Sequence, residues 1–405
     1  MIEFIEGGVT AAKGFQAAGV HCGIRKNRTK KDLALIVSDR EASAAAAYTQ
    51  NLVKGAPLTV TANHIADGKA RAIICNSGIA NTCAFDGVEK AEAMCALTAK
   101  ELGLEATDIV VASTGVIGPS IDLSPIEAGL PGLAAALSVE GGGDAAEAIM
   151  TTDTRKKEFA VTFTLGGKPC VMGGIAKGSG MIAPNMATML CFITTDAAIR
   201  ADLLHQALLE VVGNTFNMMT VDGDTSTNDM VTVLANGAAG NPEITEADAD
   251  YAVFAEALHT LCTKIVRHLA ADGEGATKLL ECRVAGSASD KDARLVAKAV
   301  MNSALLKSAM FGADANWGRV LCAIGYSGAQ VDVRRVDVAF ESAAGRVEVC
   351  RDGAGIPFSE EEAKHVLGAD EIIIDIRLRD GAAGAVAWGC DLTYDYVKIN
   401  GDYRT

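Results

Sequence analysis

Short apolar runs rich in β-branched residues recur along almost the whole chain, and they set the strongest limit on how it can fold. The runs have the length and composition of strands, and they occupy residues 33–37, 70–75, 109–112, 159–164, 187–194, 231–234, 336–340, 371–378 and 385–388. Glycine-containing turns at 165–168 and 344–346 join neighbouring runs as hairpins. Longer segments with apolar residues at three-to-four spacing predict helices at 88–102, 201–214, 246–270 and 292–310. The mixture predicts an α+β fold, a layered sandwich of mixed or antiparallel sheets with outer helices.

One long segment carries neither pattern. Residues 120–144 are rich in glycine, with serine and proline among them, and these residue types interrupt regular structure. We expect this segment to be an exposed connection that precedes a new hairpin.

The composition is that of a folded globular chain, and it argues against several classes of partner. Of the 405 residues, 49% are hydrophobic and 21% are charged, as in ordinary soluble enzymes. The formal net charge is −15, and the strongest basic run, 25–31, is too short for a nucleic-acid footprint. The first residues are acidic where a signal peptide needs cations, and no apolar stretch has transmembrane length. We therefore expect a cytoplasmic protein with no nucleic-acid and no membrane partner.

The cysteines and histidines predict neither a disulfide framework nor a metal site. The 11 cysteines stand alone without a CxxC pair, and the six histidines form no HExxH motif. The segment 222–233 imitates a calcium loop, but Thr227 stands where such a loop needs Gly, and Val233 where it needs Glu. We interpret the segment as a turn or a wall of the active site, and we expect no metal and no cofactor.

The most informative segment for chemistry is the glycine-rich run 173–190, which leads into an apolar strand. It fails as a phosphate-binding loop because that motif needs a lysine directly after its second glycine, whereas Lys177 precedes Gly178. A plain loop that enters a strand is one interpretation. Self-cleavage is another, because small residues allow a strained bend, Ala187 leaves its carbonyl accessible, and the Thr188 hydroxyl can attack that carbonyl.

A threonine at position 188 suits both self-cleavage and later catalysis. In an N→O acyl shift the hydroxyl attacks the carbonyl one residue upstream, and hydrolysis of the resulting ester frees an α-amine. Such an amine titrates at about 7.7–8.0, so its neutral fraction can accept the hydroxyl proton at neutral pH. Thr188 is therefore predicted to be nucleophile and base at once.

The stretch Lys177-Gly-Ser-Gly-Met-Ile-Ala-Pro-Asn-Met-Ala-Thr188-Met-Leu resembles the ornithine acetyltransferases of arginine biosynthesis, also called glutamate N-acetyltransferases. The resemblance extends from the Gly7-Gly8-Val-Thr-Ala segment to residues 400–405. It implies self-cleavage between Ala187 and Thr188, an α chain of 1–187, a β chain of 188–405, and an α2β2 assembly. It also implies acetyl transfer from N-acetylornithine to glutamate through an acetyl-Thr188 intermediate.

The resemblance assigns an oxyanion hole to Thr114 and Gly115, which directly follow the predicted strand 109–112 and Ser113. A strand end can expose a backbone N–H beside a hydroxyl, and Gly115 lets a substrate approach the backbone closely. Considered without the resemblance, the same residues are a strand followed by a turn.

The resemblance also implies a set of substrate-binding residues. They are Thr151, Lys177, Thr188, Glu274, Asn400 and Thr405. Lys177 suits a substrate carboxylate, and Glu274 suits an ammonium of ornithine. Thr152 and Thr154 stay open beside Thr151 because the three threonines lie so close together.

Two other functions remain open on the residues alone. A self-processed threonine amidase or aminopeptidase would use the same nucleophile but give the acyl group to water. A binding protein that keeps the scaffold would leave the chain intact. Whether acetyl-CoA also serves as a donor is likewise open.

Overall fold

The computed structural model describes residues 1–27, 29–183 and 189–402. Strands in these ranges are β1 (Glu3–Ile5), β2 (Phe15–Val20), β3 (Leu33–Tyr48), β4 (Lys69–Ile79), β5 (Ile109–Val116), β6 (Lys157–Leu165), β7 (Lys168–Lys177), β8 (Leu190–Thr195), β9 (Met230–Ala235), β10 (Leu279–Ser287), β11 (Asp337–Ser342), β12 (Gly345–Arg351), β13 (Ala354–Gly355), β14 (Glu371–Arg377) and β15 (Ala383–Cys390). Helices are α1 (Ala56–His64), α2 (Gly87–Leu102), α3 (Ser124–Ala135), α4 (Gly142–Ala148), α5 (Ala201–Asn214), α6 (Ala249–Ala271), α7 (Asp290–Asn302), α8 (Ala304–Phe311), α9 (Trp317–Gly325), α10 (Glu360–Leu367) and α11 (Tyr394–Asp402).

The larger sheet is bent through its long strand β3. Its strand order is β1-β6-β7-β8-β9-β3-β4-β5, with β2 also beside β3. The pairs β4–β5 and β8–β9 are parallel, and the others are antiparallel. Residues 33–38 of β3 pair with β2, whereas residues 43–48 pair with β9, and the register to β4 shifts between Val37 and Ala42. The sheet thus consists of two halves that β3 connects.

An apolar cluster between these halves makes them the two inner layers of a sandwich. It contains Ala34 and Ile36 from the first part of β3, Ala44 and Ala46 from its second part, and Phe192 from β8. Because side chains alternate across a strand, the other faces of the halves need their own cover. Helices α1, α2 and α3 cover one outer face, and α5 and α6 cover the other. The predicted α+β sandwich with outer helices is confirmed.

Helix α6 connects the larger sheet to a second sheet of order β13-β12-β11-β14-β10-β15. The helix begins after Asp248, whose side chain accepts a hydrogen bond from the Tyr251 amide at 3.0 Å. Its apolar residues pack against β6 and β7 of the first sheet and against β10 and β15 of the second. One continuous apolar cluster therefore extends through both sheets.

Two details differ from the sequence-based expectations. The segment 120–144 is not an exposed connection, because it forms α3 and the start of α4, and Ile126, Leu130 and Leu133 are buried at helical spacing. The predicted helix 292–310 is two helices, since the Ser303 side chain caps α8 by accepting from the Leu306 amide at 3.2 Å. Within the described ranges, no helix has the length and apolarity needed to cross a membrane.

Candidate active site

One cleft gathers the predicted site residues that fall within the described ranges. They are Thr114, Gly115, Thr151, Lys177, Glu274 and Asn400. The cleft lies where the end of β5, the segment before β6, the end of β7, the segment after α6, and α11 meet. Ala187, Thr188 and Thr405 lie outside the described residues, and so does the junction between the predicted α and β chains.

The geometry at Gly115 requires a glycine. Its φ is +134°, and a Cβ built there would lie 2.2 Å from the carbonyl carbon of Gly78, its register partner on the parallel strand β4. Both the positive φ and the close approach exclude a side chain. Adjacent Thr114 is 5% exposed and lines the cleft.

Asn228 holds the strand end that carries Thr114 through two hydrogen bonds. Its Nδ2 donates to the carbonyl of Ser113 at 3.0 Å and to that of Ala80 at 2.6 Å. In a trans peptide the C=O and the following N–H point in opposite directions, so holding the Ser113 carbonyl also fixes the direction of the Thr114 N–H. Asn228 therefore positions the N–H proposed for the oxyanion hole, a role that the sequence did not suggest.

A buried ion-pair network holds the loop that carries Thr151. The Asp153 carboxylate accepts from the Thr151 amide at 3.1 Å, from the Gly178 amide at 2.7 Å and from Lys157 Nζ at 2.6 Å. Lys157, 1% exposed, also pairs with Asp272 at 2.6 Å. Although burial alone would raise the pKa of Asp153, the Lys177 and Lys157 ammonium groups lower it to about 2. Asp153 is therefore ionised at neutral pH and ties the Thr151 loop to the end of β7.

The hydrogen bonds around this network distinguish the three candidate threonines from one another. The Thr154 hydroxyl donates to Asp272, and the Thr154 amide donates to that carboxylate at 3.1 Å. The Thr152 hydroxyl is hydrogen bonded to Ser179 Oγ at 2.7 Å. Thr151 and Thr152 line the cleft, whereas the hydroxyl of Thr154 is engaged with Asp272.

Lys177 is a buried cation at the cleft. It is the last residue of β7 and is 3% exposed. Burial lowers the pKa of its ammonium, and the charge of Lys157 adds to this, while Asp153 and Asp229 oppose the shift. A substrate carboxylate that enters the cleft would supply a further anion for this ammonium.

Glu274 brings a carboxylate to the same cleft, and α11 holds it there. Its Oε2 accepts from Asn400 Nδ2 at 2.8 Å, and its amide donates to the Ser179 carbonyl at 2.8 Å. The side chain packs directly over Gly180, where an added Cβ would lie 2.4 Å from Oε2. The structure thus places Asn400 against Glu274.

The calcium-like segment forms part of the cleft wall, as one of its interpretations predicted. Ser226, Thr227 and Asn228 line the cleft. The Asp222 carboxylate accepts from the amides of Met181 at 2.6 Å and Ile182 at 2.8 Å, so backbone groups use its oxygens. The described residues contain no group of three or more His, Cys, Asp or Glu that could hold a metal ion.

Asp229, at the end of this segment, is a second residue that the sequence did not single out. Its Oδ1 accepts from the amide of Met189 at 2.8 Å. Its Oδ2 is buried and makes no hydrogen bond of normal geometry within the part of the chain that the structure describes. Burial raises the pKa of this carboxyl well above its ordinary value, against the Met189 amide and the Lys177 ammonium. In the sequence, Asp229 was marked only by its place in the calcium-like segment and directly before an apolar strand.

The cleft therefore combines a cation, a carboxylate and a fixed strand-end amide. An amino acid that carries a carboxylate and an ammonium finds a counter-charge for each in Lys177 and Glu274. Thr114 and Gly115 line the cleft at the end of β5, where the resemblance predicts an oxyanion hole. Such an arrangement suits acyl transfer to or from an amino-acid substrate.

Comparisons with known proteins identify the family of the chain. The ArgJ family profile matches residues 16–405. The arginine biosynthesis bifunctional protein ArgJ of Symbiobacterium thermophilum is 52% identical over 100% of both chains. A crystal structure of the arginine biosynthesis bifunctional protein of Bacillus halodurans matches with 47% identity and a TM-score of 0.49, over 52% of this chain and 97% of that chain. A structure of ornithine acetyltransferase complexed with ornithine, from Mycobacterium tuberculosis, matches with 35% identity and a TM-score of 0.42, over 45% of this chain and 98% of that chain. The chain belongs to the ArgJ family.

Proposed function

We propose that the protein transfers an acetyl group from N2-acetylornithine to glutamate in the cytoplasm, as a step of arginine biosynthesis. The observation that carries this proposal is the convergence of Thr114, Lys177 and Glu274 on one cleft from distant parts of the chain. The names of the relatives, bifunctional proteins of arginine biosynthesis, support the same pathway.

The nucleophile we propose is Thr188, freed when the chain cuts itself after Ala187. The products are an α chain of 1–187 and a β chain of 188–405, which associate as α2β2. Support comes from the motif between Lys177 and Thr188 and from the adjoining structure, because Met189 and β8 lie next to Lys177. A light-scattering mass near twice 41.8 kDa tests the assembly.

The reaction proceeds in two half-reactions. The neutral α-amine of Thr188 accepts the hydroxyl proton as Oγ attacks the acetyl carbonyl, and Thr114 and Gly115 stabilise the oxyanion. Ornithine leaves with that proton, and an acetyl-Thr188 ester remains. The amine of glutamate then attacks the ester and gives N-acetylglutamate and free Thr188.

Each substrate group has a proposed partner in the cleft. Lys177 pairs with the α-carboxylate that both substrates share, and Glu274, held by Asn400, receives the side-chain ammonium of ornithine. Thr151 and Thr405 complete the substrate contacts. Acetyl-CoA is a second donor in this scheme, which the word bifunctional in the relatives' names suggests.

The test has two parts. Purified protein is incubated with N-acetylornithine, with and without glutamate, and ornithine and N-acetylglutamate are measured together. We expect turnover only with glutamate, and ornithine release that needs no acceptor would instead identify an amidase. Replacing N-acetylornithine by acetyl-CoA tests the second donor.

The second part is mass spectrometry of the wild type beside Thr188→Val and Thr188→Ser. Valine keeps the shape of threonine but lacks the hydroxyl, so this variant should stay one chain near 41.8 kDa and be inactive. Serine retains a hydroxyl and should still be cut. The wild-type fragment that begins at Thr188 should gain one acetyl group when glutamate is withheld. An intact, active Thr188→Val protein contradicts the proposal.

A further inference from the structure

Two buried charged groups border the start of β8, one on each side. Lys177, at the end of β7, is the register partner of Leu190, and Leu190 is the register partner of Met230 on β9. Asp229 directly precedes Met230, and Lys177 and Asp229 act on each other's pKa. The chain therefore enters β8 between a buried ammonium and a buried carboxyl group.

Among the described residues, the Asp229 carboxyl accepts one hydrogen bond of normal geometry. Oδ1 accepts from Met189 N at 2.8 Å, and that nitrogen is covalently bonded to the carbonyl carbon of Thr188. Oδ2 is buried, in a residue that is 0% exposed, and within the described ranges it makes no hydrogen bond of normal geometry, although the Ser226 hydroxyl acts on the carboxyl group. An unsatisfied buried carboxyl oxygen is costly, so folding stability alone does not account for it.

Asp196, which directly follows the opposite end of β8, is a buried carboxylate with a structural role, and its hydrogen bonds can be compared with those of Asp229. It too is 0% exposed, but both of its oxygens are used. One accepts from the Val171 amide at 2.7 Å and the other from the Lys13 amide at 3.2 Å. Within the described part of the chain, Asp229 therefore differs from Asp196 in keeping one oxygen without such a hydrogen bond.

The surroundings of Asp229 suit proton transfer. Among the described residues, the Lys177 ammonium from β7 is the charged group that acts on it, and the Met189 amide and the Ser226 hydroxyl add polar contacts. Lys177 is itself faced by Asp153 and Lys157, and by the Cys75 thiol. Burial raises the pKa of Asp229 well above its ordinary value, which makes its carboxylate a stronger base.

We propose that Asp229 is the proton-transfer residue of self-cleavage, an inference that rests on the proposed function of Thr188. Oδ2 accepts the proton of Thr188 Oγ as that oxygen attacks the carbonyl carbon of Ala187. The same proton passes to the Thr188 nitrogen as the bond between Ala187 and Thr188 breaks. An ester to Thr188 Oγ results, the carboxylate is restored, and water then hydrolyses the ester.

The test follows cleavage of the full-length chain made by cell-free translation with labelled methionine. Precursor and fragments are separated on denaturing gels over time, at pH values from about 4 to 9, which span the ordinary pKa values of aspartate and of an α-amine. The variants are Asp229→Asn, Asp196→Asn as the matched buried control, and Thr188→Val.

We expect Asp229→Asn to cleave about 10²–10⁴-fold more slowly, the usual contribution of a positioned acid–base group. The wild-type rate should rise with pH as Asp229 deprotonates, and this rise should be absent from the residual rate of Asp229→Asn. Asp196→Asn should cleave at the wild-type rate with the wild-type pH profile.

The outcomes separate this inference from the proposed function. Cleavage of Thr188→Val overturns the proposed function. A wild-type rate in Asp229→Asn, with Thr188→Val intact, overturns only the role of Asp229. If Asp229→Asn does not fold, the wild-type profile decides, because a rate independent of pH over the range contradicts proton transfer by a buried carboxyl.

Discussion

Replacing Asp153 by asparagine should cost both stability and substrate binding. The change preserves shape but removes a charge that pairs with buried Lys157 and leaves one hydrogen-bond acceptor where two are needed. The amide would keep its oxygen toward Lys157 and Gly178, so its NH2 group would face the N–H of Thr151, donor against donor.

The expected loss follows from the local charges. Lowering the pKa of Asp153 from 3.8 to about 2 corresponds to about 2 kcal/mol in favour of its ionised form. The Thr151 N–H, which is left without an acceptor, adds about 1–3 kcal/mol to the loss of stability. The sum agrees with the ~3–5 kcal/mol typical of breaking a buried ion pair from one side.

Urea denaturation measures this loss, and the surface pair of Asp202 with Arg200 supplies a control. Asp202→Asn removes an exposed pair that solvent screens, so it should lower the free energy of unfolding far less than Asp153→Asn does. Because the Asp153 pKa is lowered, its contribution is complete above pH ~4 and disappears as the pH falls toward 2. The difference in the free energy of unfolding between wild type and Asp153→Asn should therefore become smaller as the pH is lowered. A loss below about 1 kcal/mol at neutral pH would refute the ion-pair reasoning.

Three further substitutions test the cleft itself. Gly115→Ala should lower kcat/KM by about 10²–10³-fold, because its Cβ would displace β5 from Gly78, and steady-state kinetics near wild-type values would contradict the oxyanion role. Glu274→Gln should raise the KM for N-acetylornithine about tenfold or more through loss of a charged contact, while deacetylation by glutamate, followed in single turnovers, should change less. Asn228→Ala should lower kcat about 10–100-fold with little change in KM, since the Thr114 N–H loses its fixed direction, and a change confined to KM would point to substrate contact instead.

Local patterns predicted many elements well where apolar spacing was regular. The helix 201–214 and the hairpin turn at 165–168 agree with the structure, and the second hairpin forms with its turn at 343–344 instead of 344–346. Helix α3 was missed because Pro125, Gly129 and Pro131 obscure an apolar spacing that burial nevertheless uses. The second part of β3 was missed because its run of alanines has a weak intrinsic preference for strands.

The cleft was predictable to the extent that a contiguous motif marked it. Lys177 stands inside the glycine-rich run, and Thr114 directly precedes a glycine at the end of an apolar run. Residues that act through distant partners left no such mark. Lys157 and Asp272 meet across 115 positions of sequence, and Asn228 reaches Ser113 across the same separation. Only the packing of the sheets brings such pairs together, so periodicity and spacing cannot reveal them.

The order of strands in the larger sheet has a consequence for how the protein can be taken apart and rebuilt. Strands β7 and β8 lie on opposite sides of the proposed cut, yet they remain hydrogen-bonded neighbours from Met172 with Thr195 to Lys177 with Leu190. The cut therefore changes connectivity while the ladder holds the two pieces together. After denaturation the pieces are separate molecules, so refolding becomes a bimolecular reaction and the melting midpoint rises with protein concentration. In Thr188→Val the strands β7 and β8 stay in one chain, so fewer chains must associate and the melting midpoint should depend less steeply on protein concentration.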